Sequence, residues 1–243
     1  MHRLRVIAGP NGSGKTTLTK ELRENYQLNF GFYLNADDIE TVLRANQKIS
    51  FRRFGIKVSF PEFDRFYSSH ILRRKARVKF EIRYNTLYLR TGLTSKTYFP
   101  TLLADFIRKK LLEQKQTFSF ETVMSGSDKL DLLADAKKQG YRIYLYFICI
   151  EKDEHGNPSV NLDRIRDRVE KKGHDVDETK VVERYYKTLG NLIPAIKYTD
   201  RSYLFDNSGT GYKLVGEITN GHELDFDPQF IPQWFEEFVL NKL

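Results

Sequence analysis

The stretch Gly9-Pro10-Asn11-Gly12-Ser13-Gly14-Lys15-Thr16-Thr17 (GPNGSGKTT) decides how the rest of the chain is read. From Gly9 to Thr16 it fits the pattern G-x-x-x-x-G-K-[ST], which has meaning only between a strand and a helix. Both flanks comply. Residues 4–8 (LRVIA) form a short apolar run, read as a buried strand, and residues 14–25 read as a helix. Glycines let the backbone turn tightly and offer its N–H groups to a phosphate, while the helix N-terminus adds partial positive charge. The expectation is a nucleotide site made by Gly9, Pro10, Asn11, Gly12, Ser13, Gly14, Lys15, Thr16 and Thr17. Lys15 would reach the terminal phosphates of ATP, and Thr16 would give its hydroxyl to Mg2+.

Working outward, short apolar runs alternate with helical patterns. Strands are expected at 31–35 (GFYLN), 117–121 (TFSFE), 142–150 (RIYLYFICI), 202–206 and 212–219. Helices are expected at 36–45, 100–114, 129–139, 160–172, 178–192 and 232–240. The continuous apolar run at 142–150 is what a central parallel strand requires, because both of its faces are covered. The fold class is therefore α/β, a parallel sheet flanked by helices around a P-loop of the NTPase pattern. Residues 1–243 read as a single domain, interrupted at 46–116 by a basic, mostly helical insertion. Within it, residues 61–84 read as a basic amphipathic helix.

In an open α/β sheet the substrate sits beyond the C-terminal ends of the strands. Acidic residues stand at three such ends: Asp37 and Asp38 (NADD), Glu121 (FSFET) and Asp206 (LFDNS). A carboxylate there can accept the proton of an alcohol acceptor. Asp37 or Asp38 is placed for that role, although either could instead cap the helix it precedes. Glu121 could contact substrate or hold the sheet edge by a salt bridge. Further along, Arg164 and Arg168 lie four apart on one helical face. Arginines near a phosphate loop neutralise charge in phosphoryl transfer; alternatively Arg164 and Arg166 could pair with Asp167 and Asp163 on the surface. Gly173-His174-Asp175 then turns the chain, and Arg184 follows in the next helix.

Composition excludes several classes. The single cysteine, Cys149, allows neither an internal disulfide framework nor a cysteine-cluster zinc site. No apolar run approaches the roughly 20 residues needed to cross a bilayer, and no signal peptide is visible. The expectation is a cytoplasmic protein with no membrane contact. The net charge of +8 is unevenly spread. Residues 50–116 carry 16 Lys+Arg against 5 Asp+Glu, so phosphate-bearing partners, nucleic acid among them, are favoured there. Tyr67, Phe80, Tyr84, Tyr88 and Tyr98 could stack on bases, but their spacing fits core packing better. An ABC-type ATPase is disfavoured: there is no LSGGQ-like helix start and no acidic pair closing an apolar strand.

Together, GPNGSGKTT, NADD, FSFETVMS, GYRIYLYFI, NLDRIRDRVEKKGHDV, ERYYKTLGNL and LFDNS resemble, in this order, the zeta-toxin-like P-loop kinases. The likeness is to the bacterial branch often labelled predicted ABC-type ATPase, and it covers residues 1–45 and 117–208. It implies an ATP- and Mg2+-dependent phosphotransferase acting on a hydroxyl of a small-molecule acceptor, such as UDP-N-acetylglucosamine or another nucleotide-sugar. It also implies a protein antitoxin as partner. Carried over by position, Asp37 is the catalytic base and a Mg2+ contact, Arg164 or Arg168 is the first charge-stabilising arginine, and Arg184 substitutes for the second, which falls near His174. Asp38, Glu121, Thr122 and His174 fall to the acceptor, and Asn207 to the nucleotide. Lys172 and Asp177 depart from the branch, which has Gly and Pro there, and the 46–116 region is longer and more basic than its pattern. The competing readings are a polynucleotide 5′-kinase, with the basic block as its groove, and a nucleotide-dependent binding switch without catalysis.

Overall fold

A computed structural model describes residues 1–95, 97–170 and 177–243, apart from the Arg168 side chain. In chain order the elements begin with β1 (Arg3–Ala8), α1 (Lys15–Glu24), β2 (Phe32–Leu34), α2 (Ala36–Asn46) and β3 (Lys48–Ser50). There follow α3 (Phe60–Ser69), β4 (Phe80–Arg83), β5 (Thr86–Leu89), α4 (Phe99–Glu113), β6 (Phe118–Thr122), α5 (Asp128–Lys138) and β7 (Arg142–Cys149). The chain ends with α6 (Ser159–Glu170), α7 (Glu178–Gly190), α8 (Leu192–Ile196), β8 (Arg201–Asp206), β9 (Lys213–Thr219), β10 (Glu223–Phe226) and α9 (Gln233–Phe235). A π-helical turn, Glu236–Leu240, continues α9. These elements fall into two compact units, residues 1–30 with 119–243, and residues 31–118.

In the first unit the sheet runs β10-β9-β8-β7-β1-β6. β1 pairs in parallel with β7, Val6 opposite Leu145, and β7 pairs in parallel with β8, Phe147 opposite Leu204. Every residue of β1 after Arg3 is buried, and so are the last five of β7, as expected of strands covered on both faces. β9 and β10 join antiparallel at the far edge; β10 has no counterpart in the sequence reading. The α/β class with a mostly parallel sheet therefore holds. Trp234, 1% exposed, packs its ring 5.9 Å from that of Phe147 and donates its indole N–H to Asp206 at 2.8 Å.

The second unit departs most from the sequence reading. The helix expected over 61–84 ends at Ser69. A 3-10 turn at Arg73–Lys75 follows, and then the β4–β5 hairpin. β3, β5 and β4 form a three-stranded antiparallel sheet in that order. Tyr84 and Asn85, with φ of 50° and 61°, make the two-residue turn. Asn85 then anchors it at long range, accepting from Val58 N at 2.8 Å and donating to Ile56 O at 2.7 Å. Tertiary contacts of this kind override a helical period. Phe63 sits at the centre of the unit's core, its ring 4.9 Å from Phe106 and 5.0 Å from Phe80. Tyr67, 5.1 Å from Phe80, belongs to the same cluster, which agrees with core packing; Tyr84 is 88% exposed.

Candidate active site

The phosphate loop leaves β1 at Gly9 and enters α1 at Lys15. Its glycines are required by geometry at two points. Gly12 has φ of 74°, and a Cβ there would lie 2.6 Å from the Asn161 carbonyl oxygen. Gly14 has φ of 99°, and a Cβ there would meet the Asn207 side chain at 2.5 Å. As N-cap of α1, Gly14 supplies no side-chain acceptor to the first turn. That turn thus presents its N–H groups and the positive end of the helix to an anion. Lys15 Nζ donates to the carbonyls of Gly9 at 3.0 Å and Pro10 at 2.7 Å, which holds the ammonium across the mouth of the loop.

Two asparagines brace the loop from outside it. Asn207, at the end of β8, donates to Ser13 O at 2.8 Å. Asn161, fully buried in the first turn of α6, donates to Asn11 O at 2.6 Å. Arg164, one turn further along α6, donates to Asn207 O at 3.3 Å. Loop, β8 and the arginine-bearing helix are therefore linked through backbone carbonyls. Arg166 pairs with Asp163 at 3.0 Å and Glu178 at 2.7 Å, the surface pairing the sequence allowed.

Glu121 stands at the end of β6, next to β1 in the sheet. Its carboxylate accepts from Thr16 Oγ1 at 3.0 Å and from Thr19 Oγ1 at 2.7 Å. The strand end is fixed from below: Thr188 donates to Val123 O at 2.7 Å and Asn191 to Met124 O at 2.9 Å. Thr122 accepts from Met124 N at 2.9 Å.

In the second unit, Asp37 and Asp38 occupy the first turn of α2, both exposed. Neither caps the helix. Asn35 does so, accepting from Asp37 N at 2.9 Å. Asp206, the third strand-end acid, is 5% exposed and engaged by Trp234 and Ser208, so its role is structural. Arg184 lies on α7 and forms no hydrogen bond with the loop. His174 lies outside the described residues, as does the side chain of Arg168.

The residues fit a nucleotide and its metal. Ser13 Oγ is buried without a partner, directly within the loop. The Thr16 hydroxyl and Glu121 carboxylate bring together two oxygens of the kind that Mg2+ accepts as ligands. Asn161 and Thr19 were not singled out in the sequence, since only their long-range contacts identify them.

No protein-family model matches this sequence, and no curated protein matches it. Solved structures do match in fold. A chain of the AvrRxo1-ORF1:-ORF2 complex with ATP aligns over 100% of this chain at 15% identity and a TM-score of 0.59. This chain spans 65% of that chain's length. A chain of the PezAT chromosomal toxin-antitoxin system of Streptococcus pneumoniae aligns over 99% of this chain and 83% of its own, at 12% identity and a TM-score of 0.51. The chain therefore shares its fold with these two proteins. No helix among the described residues is long and apolar enough to cross a membrane.

Proposed function

We propose that this protein is a cytoplasmic, zeta-toxin-like kinase that transfers the γ-phosphate of ATP to a hydroxyl of a small-molecule acceptor. The observation that carries the reading is the Thr16–Glu121 contact at 3.0 Å, which sets a strand-end carboxylate against the phosphate-loop hydroxyl. Lys15 exchanges the Gly9 and Pro10 carbonyls for the terminal phosphates. Thr16 and Glu121 would hold Mg2+, with Asp37 as a further contact, and the ion would supply positive charge to the phosphate oxygens. Arg164, held toward the loop through Asn207, stabilises the transferred group, with Arg168 and Arg184 as further arginines of that set. Asp37 accepts the proton of the acceptor's hydroxyl, and Asp38, Thr122 and His174 contact the acceptor. A nucleotide-sugar is the acceptor class we favour. A protein antitoxin is proposed as partner, in keeping with the toxin-antitoxin and two-component complexes whose fold this chain shares. The basic 50–116 block supports a second reading, a polynucleotide 5′-kinase.

Incubating the protein with γ-labelled ATP and a bacterial metabolite extract tests the proposal. A labelled small molecule that is absent with Lys15→Ala supports it. Label released only as inorganic phosphate, or labelling unaffected by Lys15→Ala, overturns it.

A further inference from the structure

We infer that a hollow between the end of α3 and the Arg73–Lys75 turn binds the phosphates of a phosphorylated organic ligand, independently of the phosphate loop. The hollow has a volume of about 600 Å³ and is lined by Tyr67, His70, Ile71, Arg73, Arg74 and Arg77. That volume lies within the range of small-molecule sites. All of these residues belong to the second unit.

The decisive feature is the state of the three arginines. Among the described residues, Arg73, Arg74 and Arg77 have no hydrogen-bonding or ion-pairing side-chain partner, and all are exposed. Elsewhere in the same unit Arg44, Arg83, Arg90 and Arg108 each hold a carboxylate. Three like charges within five positions repel one another unless an anion joins them. Guanidinium forks match phosphate oxygens two at a time.

The backbone carrying these charges is already fixed. Tyr67 donates its hydroxyl to Ala76 O at 3.2 Å, closing the segment into a loop around fully buried Ala76. Within it Arg73 N donates to His70 O at 3.0 Å and Lys75 N to Leu72 O at 2.9 Å. His70 Nδ1 accepts from Leu72 N at 3.2 Å, while Nε2 faces Asp105 at 3.6 Å. Asp105 also holds Arg108. A pre-ordered frame reduces the entropy lost when the arginines close on a ligand. Ile71, 92% exposed in the lining, gives the hollow an apolar surface that bare phosphate would not use. The ligand is therefore a phosphate ester with an organic part. A free nucleotide-type diphosphate and a nucleic-acid strand share that chemistry.

The experiment uses full-length Lys15→Ala protein, so that the phosphate loop and this hollow are read separately. ADP and a short single-stranded RNA are titrated at two salt concentrations, with and without Arg73→Ala, Arg74→Ala and Arg77→Ala together. The three exposed substitutions should leave the melting temperature unchanged and weaken at least one probe roughly 10–100-fold. If RNA is the ligand, its salt slope should also flatten by about 2 for three lost phosphate contacts. Loss confined to ADP identifies the small-molecule source, and loss confined to RNA, or larger for it, identifies the strand. Equal affinity of both proteins for both probes, or no binding by the Lys15→Ala parent, overturns the inference. So does an equal loss from Arg52→Ala with Lys57→Ala, which removes charge from a separate hollow of the same unit.

Discussion

Asp37 and Asn161 show two ways in which a single residue serves this fold. Asn35 relieves Asp37 of capping duty, so its carboxylate is available for chemistry. Asp37→Asn keeps the shape and the Asn35 cap but cannot take a proton. It should retain ATP binding and lose roughly 10²–10⁴-fold in phosphate transfer, measured as labelled acceptor formed per unit time. A large effect from Asp38→Asn with none from Asp37→Asn would move the base by one position. Asn161 touches no substrate in the proposed mechanism and acts as a positioning residue. Asn161→Ala strips the Asn11 carbonyl of its buried donor, a loss worth about 1–3 kcal/mol. If half of that falls on loop order, the dissociation constant for ATP should rise about 2- to 13-fold. Calorimetric titration reads this, and an unchanged constant would show that the loop does not depend on α6. Nothing in the sequence marks Asn161, because its partner lies 150 positions away.

At the scale of elements, legibility followed locality. The β1–loop–α1 unit could be read directly, since its strand, glycines, lysine and helix are contiguous. β7 was legible from its unbroken apolar run. The β4–β5 hairpin was not, because Tyr84 is an unusual occupant of a positive-φ turn position and Asn85 is secured by residues 56 and 58. The apolar spacing that suggested one long helix instead places Phe63 and Phe80 on different elements, edge to face in one core. The strand-end rule found Glu121, but its contacts with Thr16 and Thr19, more than 100 positions away, could not be read from the sequence. Phe63 is fully buried among five aromatic rings, so Phe63→Ala should cost about 3–5 kcal/mol of stability. Urea unfolding followed by circular dichroism would register this as a lower midpoint; an unmoved midpoint would mean that the cluster contributes little.

For the molecule as a whole, the basic charge and the phosphate loop are divided along the chain. The basic excess lies at 50–116, while the phosphate loop and its braces lie in the unit formed by residues 1–30 and 119–243. A ligand that binds only the folded loop stabilises the fold by mass action, about 2.7 kcal/mol at a hundred times its dissociation constant. For a chain of this length each kcal/mol raises the melting temperature by roughly 2–4 °C. Saturating MgATP should therefore raise melting of the wild-type protein by about 5–10 °C. Lys15→Ala should remove most of that shift, while the triple Arg73→Ala, Arg74→Ala, Arg77→Ala variant should keep it, because those side chains belong to the other unit. Scanning calorimetry distinguishes the outcomes. No shift in the wild type would mean that the loop does not hold MgATP. A shift lost equally in both variants would mean that nucleotide binding depends on the basic block as well as on the loop.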